Sequence, residues 1–519
     1  MKLWMKRTIN VLLAMSMAGS LCVGGVPKME VEAATALPAV KVGETHTPVE
    51  SERLHLNFNR EWKFDSRRVA DDNAPDFGGA INSDFDDSAW TEVGLPHSFS
   101  IPYNMEPSFF VGYGLYRKTF NVPEEWIKEN KRIAIEFEGS FIETEVFING
   151  QLAGTHLGGY TGFEIDLTGF VKAGENTLAV RVNNKWRPDQ APRIGEHQFS
   201  GGIYRDVYLN VTNPVHITWY GTFVTTPALN NPGFDEKGED GQLLWDYEYI
   251  DENSYTPAEE IRENIAKKQS DVAVDTEVKN DTENNVNVIV RHVVIDKADN
   301  KTVASFESEK TNVPAGEMVN IPAKSDMIKN IKLWDIDNPN LYKVETIVYN
   351  ADTQKVIDSY ESPLGFRWAQ FLTDGMHLNG EKVYLFGAGF HQDRAGWGDA
   401  GTNTALKRDV SMVKEVGMNF IRAVTYPREP ALVEACDEYG VLFWSENTFW
   451  GMGGHLNAAK DSKTITYTSA DWDATAYPDN EKDYAKFNES CMQDMEAMIR
   501  VLRNHPSMIL WRSGTEVFF

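Results

Sequence analysis

Cysteine is scarce in this chain, which contains three cysteines among its 519 residues. Cys22 lies in an apolar segment near the N-terminus, so Cys436 and Cys491 remain for the rest of the sequence. Two cysteines so far apart exclude a disulfide framework and the closely spaced pairs that bind structural zinc. Both lie among apolar residues at helical spacing, which predicts that their side chains are in the core. The sequence leaves open a bridge between them.

Positive charge is also in short supply. The chain has 50 lysine and arginine residues against 77 aspartate and glutamate residues, and its formal net charge is −27. This charge repels nucleic acid phosphates and anionic lipid, so we expect no nucleic-acid partner. Neutral polar ligands and an extracellular location fit the composition better.

The longest apolar run lies close to the N-terminus. Three basic residues precede VLLAMSMAGSLCVGGV, and Val31 and Ala33 follow at the spacing that signal peptidase cleaves. Serines and glycines interrupt the run, which is short for a spanning helix of roughly 20 residues. Residues 1–33 are therefore predicted to be a secretory signal peptide and residues 34–52 a linker. The mature protein is expected to be secreted and not inserted in a membrane.

Two regions show the alternation of apolar and polar residues that is typical of half-buried strands. In residues 53–216, RIAIEF alternates in this way, and Asn149-Gly150 offers a hairpin turn that needs positive φ. Residues 217–366 contain DVAVDTEVKN, NVNVIVRHVVID and YKVETIVYN. The pattern predicts a jelly-roll-like β-sandwich followed by an immunoglobulin-like β-sandwich. An acidic insertion in the second sandwich lacks the spacing of a calcium loop.

After residue 366 the apolar period changes from 2 to 3.6, and strands begin to alternate with helices. VYLFGAG, NFIRAV, VLFWS and SMILW are predicted strands, with three helices between them. Glycines end the first two helices, and the first one carries an apolar stripe of Leu406, Val410, Val413 and Val416. Residues 367–519 are therefore predicted to form the first half of a (β/α)8 TIM barrel.

Polar residues follow each of the four predicted barrel strands. Active sites of such barrels gather at the carboxyl ends of the strands. One acidic residue at a strand end is better explained as a solvated loop, but polar clusters at four successive strand ends indicate a catalytic site. In chain order these residues are His391, Gln392, Asp393, Arg422, Glu446 and Glu516.

Several longer segments carry a resemblance in their order along the chain. They are LNFNREWKFD, FDDSAWTEVGLPHSF, GGIYRDVYLN, LWDIDNPNLY, LGFRWAQF, HLNGEKVYLFGAGFHQDRAGWGD, DVSMVKEVGMNFIRAVTYPREPALVEACDEYGVLFWSEN and NHPSMILW. Together they resemble glycoside hydrolase family 2, the group of β-galactosidases, β-glucuronidases and β-mannosidases. The resemblance implies a retaining exo-glycosidase of carbohydrate metabolism that hydrolyses terminal β-glycosides. β-Galactosides are favoured, and β-glucuronides or β-mannosides are the alternatives.

The resemblance also implies roles for individual residues. Glu516 would be the general acid/base, and Thr515 stands where the family normally has an asparagine that holds the sugar 2-hydroxyl. His391 would contact substrate hydroxyls, and Arg422 would brace the nucleophile electrostatically. Glu446 would support the active-site network, with a buried ion pair as the equal alternative.

Asp393 is a further expected substrate contact, and Asp189 is the first-domain residue expected to reach the site. Thr425 is a second departure, because the family usually has a histidine there. The family nucleophile lies on a later barrel strand that these 519 residues do not include, so the chain by itself is expected to be inactive. The metal-binding pattern of metal-dependent galactosidases is missing after Glu446, and we expect no cofactor and no required metal.

A second class of function stays open, in which the sandwiches bind carbohydrate without hydrolysing it. Trp186, Tyr160 and Phe199 lie in loop-like stretches and could stack on sugar rings. Aromatic residues at this frequency mostly pack in cores, which favours the glycosidase over the binding module.

Overall fold

The computed structural model describes residues 37–67, 74–99, 110–185, 187, 189–192, 201–230, 257–449, 478 and 481–514. Residues 37–39 belong to a short separate unit and contain no helix or strand, whereas the described residues from Val40 onward form one compact unit. Within the described part of the chain, no helix has both the length and the apolar character needed to cross a membrane. Several expectations fall outside these residues: those for the signal peptide, the core of the acidic insertion, Trp186, Phe199, Thr515 and Glu516.

The first part of the compact unit is a sandwich of two antiparallel sheets. Its elements are β1 (Leu54–Asn57), β2 (Trp62–Arg67), β3 (Thr91–Val93), β4 (Tyr113–Val122), α1 (Glu124–Lys128), β5 (Arg132–Phe137), β6 (Glu143–Ile148), β7 (Gln151–Leu157), β8 (Phe163–Asp166), β9 (Gly174–Asn183) and β10 (Val207–Thr212). One sheet has the order β3-β2-β4-β9-β6-β7 and the other β1-β10-β5-β8. Apolar side chains from both sheets form one buried cluster.

The alternation in RIAIEF explains how this core forms. Ile133, Ile135 and Phe137 of β5 are fully buried and lie opposite buried apolar residues of β10. Side chains two apart on a strand share a face, so one face of β5 lines the space between the sheets. The predicted hairpin joins β6 to β7, and Asn149 and Gly150 have φ values of 51° and 84°. Asparagine and glycine tolerate this left-handed region, which the turn requires.

The second part is a smaller sandwich. Its elements are β11 (Val215–Thr225), a 3₁₀ turn (Pro227–Leu229), α2 (Ala258–Lys267), β12 (Gln269–Ser270), β13 (Ala273–Asn280), β14 (Val286–Asp296), β15 (Lys301–Glu307), β16 (Thr311–Val313), β17 (Met318–Lys324), β18 (Ile328–Lys329), β19 (Tyr342–Asn350) and β20 (Val356–Leu364). A sheet ordered β11-β13-β17 faces one ordered β15-β14-β19-β20, with β16 also paired to β14 and β12 paired to β18. Valine and isoleucine side chains from both larger sheets pack together.

The third part changes from antiparallel to parallel strands. A small antiparallel sheet of β21 (Ala369–Leu372), β22 (Gly375–Leu378) and β23 (Glu381–Val383) comes first. The remaining elements are β24 (Gly387–Phe390), α3 (Asn403–Glu415), β25 (Phe420–Ala423), α4 (Pro430–Tyr439), β26 (Leu442–Glu446), α5 (Glu481–Leu502) and β27 (Met508–Arg512). The four later strands form a parallel sheet in chain order, so all their carboxyl ends lie at one edge.

The local signals of the first two barrel helices are mostly confirmed. Pro430 is the first residue of α4, and Gly440 ends that helix in the left-handed region with φ of 67°. Leu406 and Val410 of α3 are buried against α4 and the sheet. The prediction was wrong for Val416, which is 65% exposed. Helix α3 ends at Glu415, and Val416 lies in the turn toward β25, beyond the face that packs.

The cysteine expectation is half correct. Cys436 is buried in the core between α4 and the sheet, whereas Cys491 on α5 is only half-buried. Both thiols are free, so no bridge joins them.

A buried tryptophan joins the second sandwich to the barrel. The Trp334 indole is fully buried, and its Nε1 donates to the backbone oxygen of Asp437 at 2.9 Å. The Asp437 carboxylate accepts from His505 Nδ1 at 2.6 Å and from the Ser507 amide at 2.9 Å. The residues before β27 are thereby held in place by α4 and the sandwich together.

We expect Trp334→Ala to lower the free energy of unfolding by about 3–5 kcal/mol, because it opens a cavity and leaves the Asp437 carbonyl without its donor. Trp334→Phe keeps most of the packing and should cost about 1–3 kcal/mol. Urea unfolding followed by circular dichroism measures both. Tyr384→Ala is the control, since Tyr384 is 83% exposed. Equal losses for Trp334→Ala and Tyr384→Ala would contradict this account.

Candidate active site

The carboxyl ends of β24 to β27 bring together side chains that are far apart in the sequence. Arg422 lies in β25, Glu446 is the last residue of β26, and Arg512 is the last residue of β27. The register pairs Arg422 with Trp444 and Glu446 with Arg512. Neighbouring strands therefore present these residues side by side at the edge where a barrel site forms.

Glu446 is the centre of this cluster. Its side chain is fully buried, and it accepts hydrogen bonds from Arg422 Nε at 2.7 Å and Arg422 Nη2 at 3.2 Å. Arg512 Nη1 donates to the same carboxylate at 3.3 Å. Of the two roles expected for Glu446, the buried ion pair is present, and it holds Arg422 in a fixed two-point geometry. Two arginines share one glutamate, so the cluster carries one net positive charge.

The Trp444 ring contacts the guanidinium groups of both arginines. It lies two residues before Glu446 on the same face of β26. The guanidinium carbon of Arg422 lies 5.3 Å from the Trp444 ring centre, and that of Arg512 lies 5.5 Å from it. Such cation–π contacts orient the two guanidinium groups. Arg512 was not among the residues expected from the sequence. Its position as the last residue of the fourth strand is the signal that could have identified it.

The end of the first barrel strand carries both exposed and buried polar groups. His391 and Asp393 are exposed and line a cleft of about 390 Å³. Between them, Gln392 is buried, and its Nε2 donates to Asp399 at 3.2 Å. Burial raises the pKa of Asp399 to about 7. Among the residues that the structure describes, no group of three or more His, Cys, Asp and Glu side chains is placed to hold a metal ion.

Arg205 joins the first sandwich to the strand ends. It is buried, and its Nη2 donates to the Pro427 backbone oxygen at 2.8 Å and to Gln392 Oε1 at 3.3 Å. Its Nη1 donates to the backbone oxygen of Tyr160 at 2.7 Å. One guanidinium thus connects the loops after β24 and β25 to the sandwich. The sequence contains no local signal for this contact, because its partners are far away in the chain.

Tyr160 is a core residue, as the sequence favoured over a role as a sugar-stacking platform. It is 2% exposed and stacks on Tyr426, with ring centres 4.1 Å apart and planes 6° apart. Its ring faces are engaged in the junction between the first sandwich and the barrel. Of the three aromatic residues considered for sugar stacking, Tyr160 is the one that the structure describes, and it is not available to a ligand.

Asp189 contacts the barrel through an ion pair. Its carboxylate is buried and accepts from Arg187 at 3.0 and 3.1 Å and from Lys486 of α5 at 3.3 Å. Burial would raise the pKa of Asp189, but the hydrogen bonds from the two cations outweigh burial and lower it. Asp189 thus contacts α5 through Lys486, and the expectation that it reaches the substrate site of the barrel stays a prediction.

Asp494 on α5 connects the first sandwich to the loop after β26. Its carboxylate is buried and accepts from Thr161 Oγ1 at 2.9 Å and from Thr448 Oγ1 at 2.5 Å. Thr448 lies two residues after Glu446, so Asp494 helps to position the end of that strand. Burial raises the pKa of Asp494 to about 6 despite the two hydroxyl donors.

Glu446→Gln should destabilise the chain, because it removes the negative charge between two arginines. We expect a loss of about 3 kcal/mol in the free energy of unfolding, as for other buried pairs that lose one partner. Urea unfolding at pH 7 measures it. Glu361→Gln is the matched control, because Glu361 pairs with Lys343 at the surface and should change stability by less than about 1 kcal/mol. Similar losses in both variants would refute the role of the cluster.

Asp494 should make stability depend on pH. Its folded pKa of about 6 lies above the ordinary value of 3.8, so folding favours the protonated form. The stabilisation is fully present below pH 4 and is lost as the pH rises through 6, which amounts to about 3 kcal/mol. The Asp494→Asn variant does not lose stability in this way, because asparagine has no carboxyl group to ionise. The stability of the unmutated chain relative to Asp494→Asn should therefore fall between pH 4 and pH 8 in thermal or urea unfolding. A difference that does not change with pH would contradict the assignment.

Comparisons with known proteins agree with the architecture. The chain matches the domain models "Glycosyl hydrolases family 2, sugar binding domain" over residues 73–214, "Glycosyl hydrolases family 2" over 259–367, and "Glycosyl hydrolases family 2, TIM barrel domain" over 371–518. The three matches follow one another in the order of the two sandwiches and the barrel strands.

Individual relatives lead to the same family. A putative β-glucuronidase of Formosa agariphila is 30% identical over 90% of this chain and 46% of its own length. The β-galactosidase BoGH2A of Bacteroides ovatus is 30% identical over 90% of this chain and 47% of its own. The crystal structure of a Bacteroides uniformis β-glucuronidase superposes with a TM-score of 0.70 and 28% identity over 89% of this chain and 46% of that one.

The chain spans about half the length of the curated relatives that it matches. The predicted family and the predicted fold class of two β-sandwiches followed by TIM-barrel strands are confirmed. The chain belongs to glycosyl hydrolase family 2.

Proposed function

We propose that this chain carries the acid/base half of the active site of a secreted, retaining β-glycosidase that removes terminal β-linked sugars. The observation that carries the proposal is the polar cluster of Arg422, Glu446 and Arg512 at the ends of three neighbouring parallel strands. Glu516 follows Arg512 by four residues in the sequence, at the position of the family acid. The names of the relatives, β-glucuronidase and β-galactosidase, support the reaction class.

In the proposed reaction, Glu516 protonates the glycosidic oxygen while a carboxylate attacks the anomeric carbon from the other side. The leaving alcohol departs, and Glu516 then removes a proton from the water that releases the sugar. A retaining enzyme needs the two carboxyl groups about 5–5.5 Å apart. We assign the nucleophile to a later barrel strand of the family, which these 519 residues do not include.

The charge of the cluster suits this assignment. Arg422 is held by two hydrogen bonds to Glu446, so its orientation is set before substrate binds. Arg512 shares that carboxylate, and one positive charge remains uncompensated within the cluster. A nearby cation favours the ionised form of a carboxyl group. The cluster would therefore keep an adjacent nucleophile ionised and ready to attack.

The substrate proposed first is a β-galactoside, because HQDRAGWGD and WSENTFWG resemble the corresponding segments of β-galactosidase members. The names of the relatives include β-glucuronidases as well, so β-glucuronides are the leading alternative and β-mannosides the third. Secretion is proposed on the basic and apolar pattern of residues 1–33. The acidic net charge of −27 is consistent with a carbohydrate substrate and with the absence of a nucleic-acid partner.

The test separates protonation of the leaving group from the rest of catalysis. Glu516→Gln should slow hydrolysis of methylumbelliferyl β-glycosides by about 10²–10⁴-fold, because their leaving group needs a proton. Formation of the glycosyl-enzyme from 2,4-dinitrophenyl glycosides should be slowed far less, because dinitrophenolate leaves without protonation. The protein assayed is the full-length gene product, with galactosides, glucuronides and mannosides in parallel.

Glu489→Gln serves as the control, since Glu489 is exposed on α5 and should leave both rates unchanged. Equal loss on both classes of leaving group would contradict the acid/base role of Glu516. Inversion at the anomeric carbon, followed by NMR, would contradict the retaining mechanism. The 519-residue chain alone is expected to show no turnover, and ordinary turnover by it would overturn the placement of the nucleophile.

A further inference from the structure

The loop after the first barrel strand presents an exposed tryptophan. Trp397 lies between β24 and α3 and is 54% exposed. No described aromatic ring stacks on it, in contrast to Tyr160 and Tyr426 nearby in the fold. Large aromatic side chains at an exposed site next to a catalytic edge are common binding anchors. The residues around this ring determine which class of ligand it would accept.

The loop holds Trp397 on a rigid turn. The Arg394 amide donates to the Gly398 oxygen at 2.9 Å, and the Gly398 amide donates back to the Arg394 oxygen at 2.8 Å. The Trp397 amide also donates to the Arg394 oxygen, at 3.0 Å. The Arg394 side chain forms an ion pair with Asp409 of α3. A side chain presented by a preorganised loop loses less entropy on binding than one on a mobile loop.

Close packing of Arg394 on the backbone completes the turn. A Cβ atom at Gly401 would lie 2.6 Å from Arg394 Nε, so only glycine allows the guanidinium to pass so near. The arginine is thus held between α3 and the loop, beside the tryptophan. Trp397 and Arg394 together form a preorganised surface of one aromatic ring and one guanidinium group.

The surface lines a cleft of about 500 Å³. Its walls are Arg394, Ala395, Trp397, Gly401, Thr402 and Ala405. The walls contain no aliphatic side chain larger than alanine, unlike the neighbouring cleft that includes Met412, Val413 and Val416. A protein partner would need a larger apolar patch. A sugar ring needs an aromatic face for its C–H groups and a few hydrogen-bonding groups around it.

The cleft adjoins the candidate active site. Arg394 also lines the cleft of His391 and Asp393, so the two spaces share a wall. Both belong to the loop that leaves the carboxyl end of β24, on the face where substrate would bind. The Trp397 cleft therefore lies next to the cleft of the residues that would contact the terminal sugar.

We propose that Trp397 is the platform of a subsite for the leaving-group side of the substrate, where the second ring of a β-linked oligosaccharide stacks. This rests on the proposed function, because a leaving-group subsite needs a terminal-sugar site beside it. In this arrangement, Trp397 increases the affinity for substrates that have a second sugar ring. It takes no part in proton transfer.

The test compares ligands of one and two rings. Binding to the purified 519-residue chain is measured by titration calorimetry with methyl β-galactopyranoside and lactose, and with methyl β-glucuronide and a β-glucuronyl disaccharide. We expect the two-ring ligand of the recognised sugar to bind about threefold to tenfold tighter. Trp397→Ala should abolish this advantage and leave one-ring binding unchanged, whereas Trp397→Phe should keep most of it.

Tyr384→Ala is the control, because Tyr384 is also an exposed aromatic residue and precedes β24 at the opposite end of the sheet. A two-ring advantage that survives Trp397→Ala, or its absence in the unmutated chain, would overturn the subsite and leave the proposed function standing. Absence of binding for every one-ring and two-ring ligand would overturn the proposed function and the subsite together. A thermal melt of Trp397→Ala checks folding, and a large loss of stability with unchanged sugar affinity would assign the ring to packing.

Discussion

A charge removed from water must be paired, and this constraint determines how the side chains of the candidate site are arranged. Glu446 is fully buried at the end of β26, and it is compatible with folding because Arg422 and Arg512 converge on it. Leaving such a carboxylate without a partner would cost several kcal/mol, so the strands must keep the register that brings the two arginines to it. The pairing that stabilises the sheet edge also sets the orientation of Arg422.

The same constraint joins the first sandwich to the barrel. Arg205 extends from the first sandwich, and its Nη1 and Nη2 donate to the backbone oxygens of Tyr160 and Pro427. Asp494 on α5 is satisfied by hydroxyls of the sandwich and of the loop after β26. Each of these buried groups has partners in two different parts of the chain. The first sandwich therefore acts as a wall of the barrel's strand-end face, and the loops after β24, β25 and β26 take their positions from it.

Local patterns predicted most of the elements correctly. The alternation in RIAIEF, the Asn149-Gly150 turn and the glycine after α4 each depend on residues within a few positions, so the sequence displays them directly. Errors arose where packing between distant segments decides. Val416 continues an apolar stripe in the sequence but lies past the end of α3. For Tyr160 the sequence favoured packing over sugar stacking, but only the structure identifies Tyr426 as its partner. No local pattern distinguishes a loop aromatic that binds ligand from one that packs at a domain junction.

The sequence by itself determined the order of two β-sandwiches and βα repeats, and the strand ends on which His391, Arg422 and Glu446 lie. Periodicity and turn chemistry are local properties, and they carry that information without any tertiary contact. Only the tertiary structure decided which charges meet. Arg512 with Glu446, and Arg205 with the loop after β25, are separated by 66 and 222 residues along the chain. Such pairs form because parallel strands align their ends and because burial requires a partner for each charge, and both conditions exist only in the folded molecule.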